Sequence, residues 1–372
     1  MPKIQYDEHG GIINIDEKLD KKDIKIKESK TRDGYNFLEK LLIKNSKKVN
    51  YLLDKNGKYR CRAQKTPNVI RVGPTNRCTG RCFYCPREYI HDKGTGYMDF
   101  ALFEKIVSWA KTNRVNTISF ALFGEPFLHP RIFDMLDLAV ENGMKIRIST
   151  NAIILKKELA LKLLNYPFES IETSMDGFTR EEYLAGKQID KYEQARKNIL
   201  YLLKKAKEKK SRILFNVHFV DIGNVSFLNK IRYIKFWKKE LRGLKYLTSF
   251  YYEPHNWAGA RADLTREMNF VDRFLNKWEL KKPCMYIKGM NINWNGDVYI
   301  CTNDPTEKAI IGNVNNDSLE KIYNSEKRVN YLREHESGRF KDLNCAVCNV
   351  NSIRPLAVIK KRIINCVVGV FN

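Results

Sequence analysis

The sequence predicts an α/β protein: a partial (β/α)6 barrel followed by a small domain that contains a β-hairpin and a helix. From residue 68 onward, short apolar runs alternate with amphipathic segments, which is typical of a parallel sheet covered by helices. About six such units occur, fewer than the eight of a closed barrel. After Pro254 the alternation stops, and the dipeptide Asn295-Gly296 indicates a hairpin turn.

Each element follows from a local pattern of apolar residues. The predicted barrel strands are 69–72, 117–122, 145–149, 170–174, 213–219 and 247–252. The predicted helices between them are 99–111, 131–142, 156–164, 192–207 and 228–237. In the hairpin, 288–300, we expect positive φ at both Asn295 and Gly296. The helix after it, 317–336, should be capped by Asn316 or Asp317.

These elements divide the chain into five segments. Residues 1–65 form an N-terminal extension of unknown role, with one predicted helix around 35–53. Residues 66–254 form the partial barrel, and 255–283 form a linker. Residues 284–352 form the hairpin-plus-helix domain, and 353–372 form a C-terminal tail.

The composition is strongly basic, with 67 Lys and Arg against 43 Asp and Glu and a net charge of +24. Such a charge can favour binding of nucleic acid. However, basic runs such as 204–210 lack interleaved aromatic residues and are typical of solvated helix faces. We therefore expect no nucleic-acid partner. No apolar run approaches the ~20 residues of a membrane helix, and the polar N-terminus does not resemble a secretory signal. We expect a cytoplasmic protein without membrane association.

The nine cysteines are the most informative residues. In a cytosolic chain, closely spaced cysteines predict metal binding or catalysis and not a disulfide framework. Cys78, Cys82 and Cys85 form a C-x3-C-x2-C motif after the first predicted strand. Three thiolates can ligate three corners of an iron–sulfur cube and leave the fourth iron open, as a catalytic site requires. A zinc site with His91 as a further ligand is the alternative.

A second group of cysteines lies in the C-terminal domain: Cys284, Cys301, Cys345 and Cys348. The predicted hairpin turn brings the first two together, and the helix that follows returns the chain to the site. Four thiolates could complete a [4Fe–4S] cluster or a zinc site, and spacing does not separate the two. Cys61 and Cys366 are interpreted as ordinary thiols.

The first motif, with Tyr84 before its third cysteine, resembles the signature of the radical S-adenosylmethionine (SAM) superfamily. Gly124-Glu125-Pro126 resembles the element that binds the SAM amino group, although Phe123 stands where the family often has Gly. Ser149-Thr150-Asn151 and Ser174-Met175-Asp176-Gly177 resemble segments that hold the SAM ribose and carboxylate. The resemblance therefore implies a cofactor-binding set: Tyr84, Gly124, Glu125, Pro126, Ser149, Asn151, Ser174 and Asp176.

The C-terminal pattern, C-x11-G-x4-C and then C-x2-C, is similar to the SPASM/twitch extension of radical SAM enzymes. The full extension uses seven cysteines, and the four found in this domain resemble the shorter twitch form of 2-deoxy-scyllo-inosamine dehydrogenase-type enzymes. The resemblance implies three cofactors: a SAM-binding [4Fe–4S] cluster, SAM itself, and one auxiliary [4Fe–4S] cluster. It also implies a flavodoxin- or ferredoxin-type electron donor.

The resemblance implies that the protein cleaves SAM reductively to a 5′-deoxyadenosyl radical, which takes a hydrogen atom from a substrate. A fully ligated second cluster suits electron acceptance, so we expect oxidation or epimerisation of a carbohydrate- or aminocyclitol-like small molecule. His255 could act as a base, and Arg261 or Arg266 could anchor the substrate. One alternative is a SPASM-type maturase of peptides or proteins. The other is a non-catalytic protein that binds zinc and nucleic acid.

Overall fold

A computed structural model describes residues 3–6, 12–16, 66–87, 94–251, 254–264, 284–337 and 344–348. The chain divides into two units, Met1–Arg60 and Cys61–Asn372. In the first unit, strands β1 (Lys3–Tyr6) and β2 (Ile12–Asp16) pair antiparallel, which the sequence did not predict. The helix predicted around 35–53 lies outside the described residues.

Six parallel strands form the barrel part of the second unit, and each pairs with the next one along the chain. They are β3 (Ile70–Val72), β4 (Thr117–Phe120), β5 (Lys145–Thr150), β6 (Phe168–Ser174), β7 (Leu214–Val220) and β8 (Lys245–Tyr251). The sheet does not close on itself, so the predicted partial barrel is confirmed.

Helices lie between these strands in the chain. They are α1 (Phe100–Thr112), α2 (Ile132–Glu141), α3 (Lys157–Leu163), α4 (Arg180–Lys187), α5 (Tyr192–Glu208) and α6 (Phe227–Leu241). Within the part of the chain that the structure describes, no helix is both long and apolar enough to cross a membrane.

The two faces of the barrel sheet differ in polarity, because side chains alternate along each strand. One face is apolar and packs on the helices, as in the contact between Phe120 of β4 and Phe103 of α1, whose ring centroids lie 5.7 Å apart. The inner face carries polar residues at register positions of neighbouring strands, including Ser149, Glu172 and Asn216. The concave side of the barrel is therefore lined by polar side chains.

The C-terminal domain continues the same sheet. Strand β9 (Met290–Ile292) pairs in parallel with β3, and β10 (Asp297–Tyr299) and β11 (Ile310–Asn313) follow antiparallel. Within the described residues, nine strands thus form one sheet in the order β11-β10-β9-β3-β4-β5-β6-β7-β8. The C-terminal domain is joined to the barrel through the strand that leads into the first cysteine motif.

The predicted hairpin is present, but its turn differs from the expected geometry. Only Gly296 has a positive φ, +85°, and the positive-φ residues of the described chain do not include Asn295. The amide of Gly296 donates to the carbonyl of Asn293, and the amide of Asn293 donates to Asp297. This is a longer loop with glycine at the single left-handed position. The two-residue turn that we predicted is wrong.

The helix predicted at 317–336 is divided into α7 (Leu319–Tyr323) and α8 (Glu326–Ser337). Ser318, and not Asn316 or Asp317, caps α7, because its side chain accepts the amide of Lys321. The hydroxyl of Ser325 accepts the amide of Arg328 and so supports a new start for α8. Two serine caps in one apolar pattern therefore produce two helices.

The sequence prediction also missed α4, which has a capping box as its signal. The Thr179 side chain accepts the Glu182 amide, while the Glu182 carboxylate accepts the Thr179 amide. A threonine followed three residues later by glutamate is a recognised helix start. This helix matters because its last carbonyl groups accept hydrogen bonds from the first cysteine motif.

We expect Thr179→Ala to lower the free energy of unfolding by about 1 kcal/mol, since it removes a helix N-cap. Urea unfolding under anaerobic conditions, followed by tryptophan fluorescence, measures the change. The exposed Thr112, at the end of α1, provides the matched control: Thr112→Ala should shift the free energy by less than about 0.5 kcal/mol. Equal effects of the two variants would contradict the capping role.

Candidate active site

The first cysteine loop, residues 77–87, follows β3 and carries three free thiols, Cys78, Cys82 and Cys85. A methyl group built on Gly80 would lie 3.9 Å from Sγ of Cys78 and 3.6 Å from Sγ of Cys82, so these two sulfurs lie over the same point of the loop. Burial, and next the neighbouring Cys82, raise the pKa of Cys85 to about 12. Thiols gathered and buried in this way form thiolates readily only beside bound metal.

The loop has little regular structure and is held by hydrogen bonds from its surroundings. The amides of Arg81 and Phe83 donate to the carbonyls of Lys187 and Gly186 at the end of α4, over 3.1 and 2.9 Å. The guanidinium of Arg87 donates back to the carbonyl of Gly80, over 3.0 Å. The conformation of the loop is therefore fixed by hydrogen bonds to the end of α4 and by the hydrogen bond between Arg87 and Gly80 within the loop.

Gly124 and Glu125 follow β4 and pass directly beside this loop. Gly124 has φ of +113°, and a Cβ there would lie 2.1 Å from the carbonyl oxygen of Thr75, so only glycine fits. The buried Glu125 carboxylate accepts the Thr150 hydroxyl and the Asn151 amide, each over 2.8 Å. Burial outweighs these bonds and raises the pKa of Glu125 to about 7. A buried carboxylate of this kind favours a cationic ligand such as an ammonium group.

Asn151 connects the end of β5 to the first cysteine loop. Its side-chain amide nitrogen, Nδ2, lies 3.4 Å from Sγ of Cys78 and 3.0 Å from the Thr79 hydroxyl. The Asn151 side chain can therefore donate a hydrogen bond to a sulfur that would bind metal. Pro126 begins the short turn that follows Glu125.

A buried network that the sequence did not predict lies under the loop. The Lys187 ammonium forms an ion pair with Asp176 over 3.0 Å, and both side chains are only 2% exposed. The Tyr84 hydroxyl and the Lys187 ammonium donate to Asp176 and Ser174, respectively. The structure thus brings Tyr84, Ser174 and Asp176 together around a lysine side chain, and their role in binding SAM stays a prediction.

Ser149, the remaining residue of the cofactor-binding set, faces the concave side of the barrel. Its hydroxyl donates to Glu172 over 3.0 Å, and Asn216 donates to the same carboxylate over 2.8 Å. Nδ1 of His218 lies 3.3 Å from Glu172 Oε1. Burial raises the pKa of Glu172, but His218, Ser149 and Asn216 outweigh it and lower the pKa to about 2.

The Glu172 carboxylate is therefore ionised, and it remains accessible at the concave face, with 33% of its side chain exposed against 16% for His218. A carboxylate that orients an imidazole is a common acid–base arrangement. No sequence motif marks either residue, because each lies within a strand. Their alignment on adjacent strands is visible only in the fold.

The four C-terminal cysteines lie close enough together to affect the ionisation of Cys301. Burial raises the pKa of Cys301 well above its usual range, and Cys284, Cys348 and Cys345 raise it further. The amide of Cys284 donates to Nδ1 of the buried His335, over 3.2 Å. His335 is neutral, because burial lowers its pKa to about 4. Its Nε2 therefore carries the proton and donates to Sγ of Cys345 over 3.3 Å.

Both cysteine sets fit iron–sulfur clusters in the chemistry of their donors, which are soft thiols gathered in groups of three and four. Within the described ranges, no group of three or more Cys, His, Asp or Glu side chains has the geometry to hold a single metal ion. Cluster ligands bind separate irons and lie further apart than the ligands of one ion. Cys61, Cys366 and His91 lie outside the described residues.

The predicted catalytic residues lie between the two cysteine sets, where the structure describes them. The ring of His255 lies 5.9 Å from the ring of Trp257. The Arg261 guanidinium donates to the carbonyl of Phe83 in the first cysteine loop and pairs with Asp263 over 2.7 Å. Arg266 lies outside the described residues. The structure thus places Arg261 against the loop itself.

Two family models match the chain. The radical SAM superfamily matches residues 72–225, which include the first cysteine set and most of the barrel. The SPASM iron–sulfur cluster-binding domain matches residues 284–349, which include the second set.

Characterised relatives match parts of the chain. The tungsten-containing aldehyde ferredoxin oxidoreductase cofactor-modifying protein of Pyrococcus furiosus is 36% identical over 27% of this chain and 29% of its own length. The GTP 3′,8-cyclase of Chlorobaculum tepidum is 28% identical over 37% of this chain and 42% of its own length. The match thus spans less than half of either relative.

Solved structures share the fold more widely. BtrN in complex with AdoMet and 2-DOIA has a TM-score of 0.50 at 17% identity and covers 76% of this chain and 93% of its own. SuiB of Streptococcus suis bound to the precursor peptide SuiA has a TM-score of 0.56 at 17% identity and covers 78% and 71%. These likenesses show the fold alone.

We expect Lys187→Met to lower the free energy of unfolding by about 3–5 kcal/mol, because it leaves the buried Asp176 carboxylate without its cation. Anaerobic urea unfolding measures the change. The matched control is Lys321→Met, which breaks an ion pair with Asp317 whose lysine is 74% exposed and should cost less than about 1 kcal/mol. Similar losses in the two variants would contradict the buried role of Lys187.

The matches indicate three cofactors: a SAM-binding [4Fe–4S] cluster, SAM itself, and auxiliary iron–sulfur cluster binding in the C-terminal domain. They support an enzyme with iron–sulfur clusters over the alternative of a non-catalytic zinc-binding protein. The chain thus carries a radical SAM domain at residues 72–225, within its partial barrel, and a SPASM domain at residues 284–349.

Proposed function

We propose that this radical SAM enzyme oxidises or epimerises a small, hydroxylated molecule of the carbohydrate or aminocyclitol class. One observation carries the proposal: the chain gathers three thiols at the barrel edge and four in the C-terminal domain. The first set would leave one iron open for SAM, and the second would leave none open. A cluster without an open iron suits electron acceptance better than substrate binding.

The residues at the barrel edge supply binding and orientation. Cys78, Cys82 and Cys85 would hold the first cluster, and Glu125 would bind the SAM amino group. A reduced cluster with SAM bound there supplies a 5′-deoxyadenosyl radical that removes a hydrogen atom from carbon. The hydrogen bond from Asn151 to Cys78 would orient that thiolate, and the Lys187–Asp176 pair would fix Tyr84 beneath the loop.

Oxidation of an alcohol also requires a base, because a hydrogen atom, a proton and an electron leave the substrate. His218 has the stronger geometric support for this role, since its Nδ1 lies 3.3 Å from the Glu172 carboxylate at the accessible concave face. Cys284, Cys301, Cys345 and Cys348 would hold an auxiliary cluster, which would supply an acceptor for that electron. His255 is a second candidate, although it lies beside Trp257.

The polar lining of the barrel supports a hydroxylated substrate. Glu172, Ser149 and Asn216 share one hydrogen-bonded cluster, and polar side chains of this kind suit a substrate with hydroxyl or amino groups. Arg261 and Arg266 stay proposed as residues that help to place the substrate or the loop beside it. We propose a cytoplasmic location and a flavodoxin- or ferredoxin-type protein as electron donor.

A peptide or protein maturase of the SPASM type is the second candidate. Its support is the likeness to SuiB, whose structure was solved with a precursor peptide, together with the antiparallel strand pair of the N-terminal unit. A peptide substrate would use the same radical chemistry. It would differ in needing a surface that recognises an extended chain.

The two cysteine sets should have separable effects. Replacing Cys78, Cys82 and Cys85 by Ala should lower the iron content by about four per chain and abolish formation of 5′-deoxyadenosine. Replacing Cys345 and Cys348 should lower the iron content similarly but spare SAM cleavage. Iron analysis of the anaerobically reconstituted protein measures cluster content, and chromatography of its reaction mixture measures 5′-deoxyadenosine. Continued 5′-deoxyadenosine formation in the first variant would contradict the ligand assignment.

Anaerobic incubation with SAM, dithionite and a panel that includes 2-deoxy-scyllo-inosamine and neutral sugars tests the substrate class. We expect a ketone or an epimer in amounts that match 5′-deoxyadenosine. His218→Asn should lower the rate of product formation by about 100-fold while SAM cleavage continues, because the variant lacks the base. His255→Asn is the matched comparison. Modification of a peptide encoded beside the enzyme, without turnover of the panel, would overturn the proposal.

A further inference from the structure

A tight turn at residues 256–261, which we call the clip, lies between the two cysteine sets. Within the clip, the amides of Gly259 and Arg261 both donate to the carbonyl of Asn256, over 2.9 and 3.0 Å. The turn is therefore compact and closed by its own backbone. It contacts the first cysteine loop on one side and the second cysteine loop, residues 344–348, on the other.

The backbone of the clip is strained. Trp257, Ala258 and Gly259 have φ of +50°, +54° and +91°. A left-handed conformation is unfavourable for each residue other than glycine. Two such residues in succession persist only where surrounding contacts hold them, and such strain concentrates at functional sites.

The contacts that hold the clip to the first cysteine loop come from two long side chains. The indole nitrogen of Trp257 donates to the carbonyl of Tyr84, and the guanidinium of Arg261 donates to the carbonyl of Phe83. Both acceptors lie between Cys82 and Cys85. The Arg261 guanidinium also lies over the Phe83 ring, 5.2 Å from its centroid. The clip thus fixes the part of the loop that separates two thiols.

The contacts on the other side involve Val347, one of the two residues between Cys345 and Cys348. The side-chain amide of Asn256 donates to the carbonyl of Val347 over 2.7 Å. A Cβ built on Gly259 would lie 2.7 Å from Cγ2 of Val347, so the two segments approach too closely for a larger residue. The clip therefore forms hydrogen bonds to residues between Cys82 and Cys85 and to Val347, between Cys345 and Cys348.

We propose that the clip fastens the two cysteine loops to each other, so that the position of one cluster depends on the other. A bonded path runs from Cys85 through the Tyr84 carbonyl, the Trp257 indole, Asn256 and the Val347 carbonyl to Cys348. It crosses two hydrogen bonds. Asn256, Trp257 and Arg261 are positioning residues in this arrangement. The proposal rests on the ligand assignment given under the proposed function.

Hydrogen exchange of the reconstituted holoprotein tests the coupling at a distance. Asn256→Leu removes the side-chain hydrogen bond to Val347 in the second loop, yet it should speed exchange of the Phe83 and Cys85 amides in the first loop about fivefold. That factor corresponds to one lost hydrogen bond. The matched control is Asn113→Leu, which removes a bond from the Asn113 side chain to the carbonyl of Trp109. Asn113→Leu should leave both cysteine loops unchanged.

Gly259→Ala provides a second variant, and Gly243 provides its control. Both glycines have φ near +90°, but a Cβ on Gly243, ahead of β8, meets nothing within 4 Å. Both variants therefore carry the same backbone strain, and only Gly259→Ala pushes against Val347. We expect faster exchange in both cysteine loops for Gly259→Ala and in neither for Gly243→Ala.

Exchange that rises only at residues 344–348 in Asn256→Leu would overturn the proposal. Equal effects of Gly259→Ala and Gly243→Ala would overturn it as well, because strain alone would then explain them. Iron content of the same samples reports separately on the ligand assignment. If the wild-type protein binds iron at neither cysteine set, the ligand assignment is wrong. The exchange rates then still test whether the clip couples the two loops.

Discussion

The parallel alignment of the barrel strands is the constraint on which the site depends. Because β3 to β6 run in one direction, their carboxyl ends meet at one edge, and the residues that follow them surround the first cysteine loop. Glu125 follows β4, Asn151 follows β5, and Asp176 follows β6. The loop itself has little regular structure, so these groups and the end of α4 determine where its sulfurs lie.

The two cysteine sets are joined at two levels. Strand β9 pairs with β3, so the backbone that enters the first cysteine loop is hydrogen-bonded to the C-terminal domain. The clip then joins the loops directly, through Trp257 on one side and Asn256 on the other. The same sheet and the same turn therefore determine where both cysteine loops lie.

Much of the fold and of the site is readable from the sequence, because both depend on local patterns. The cysteine spacings and Glu125 stand in short motifs at strand ends, and strand alternation indicates the open barrel. Lys187, Glu172 and His218 stand in no motif, since their partners lie on other elements and meet only after the strands align. The turn at Gly296 and the division of the C-terminal helix were missed for a related reason. Local propensity is compatible with several helix caps and turn types at these positions, and tertiary hydrogen bonds select among them.

Hyperfine spectroscopy of the reduced protein with SAM labelled with ¹⁵N in its amino group tests the central claim most directly. If Cys78, Cys82 and Cys85 leave one iron open beside Glu125, the label should couple to the cluster that persists when Cys345 and Cys348 are replaced by Ala. Coupling that is lost with the C-terminal cysteines, or is absent from an iron-replete protein, would contradict the account.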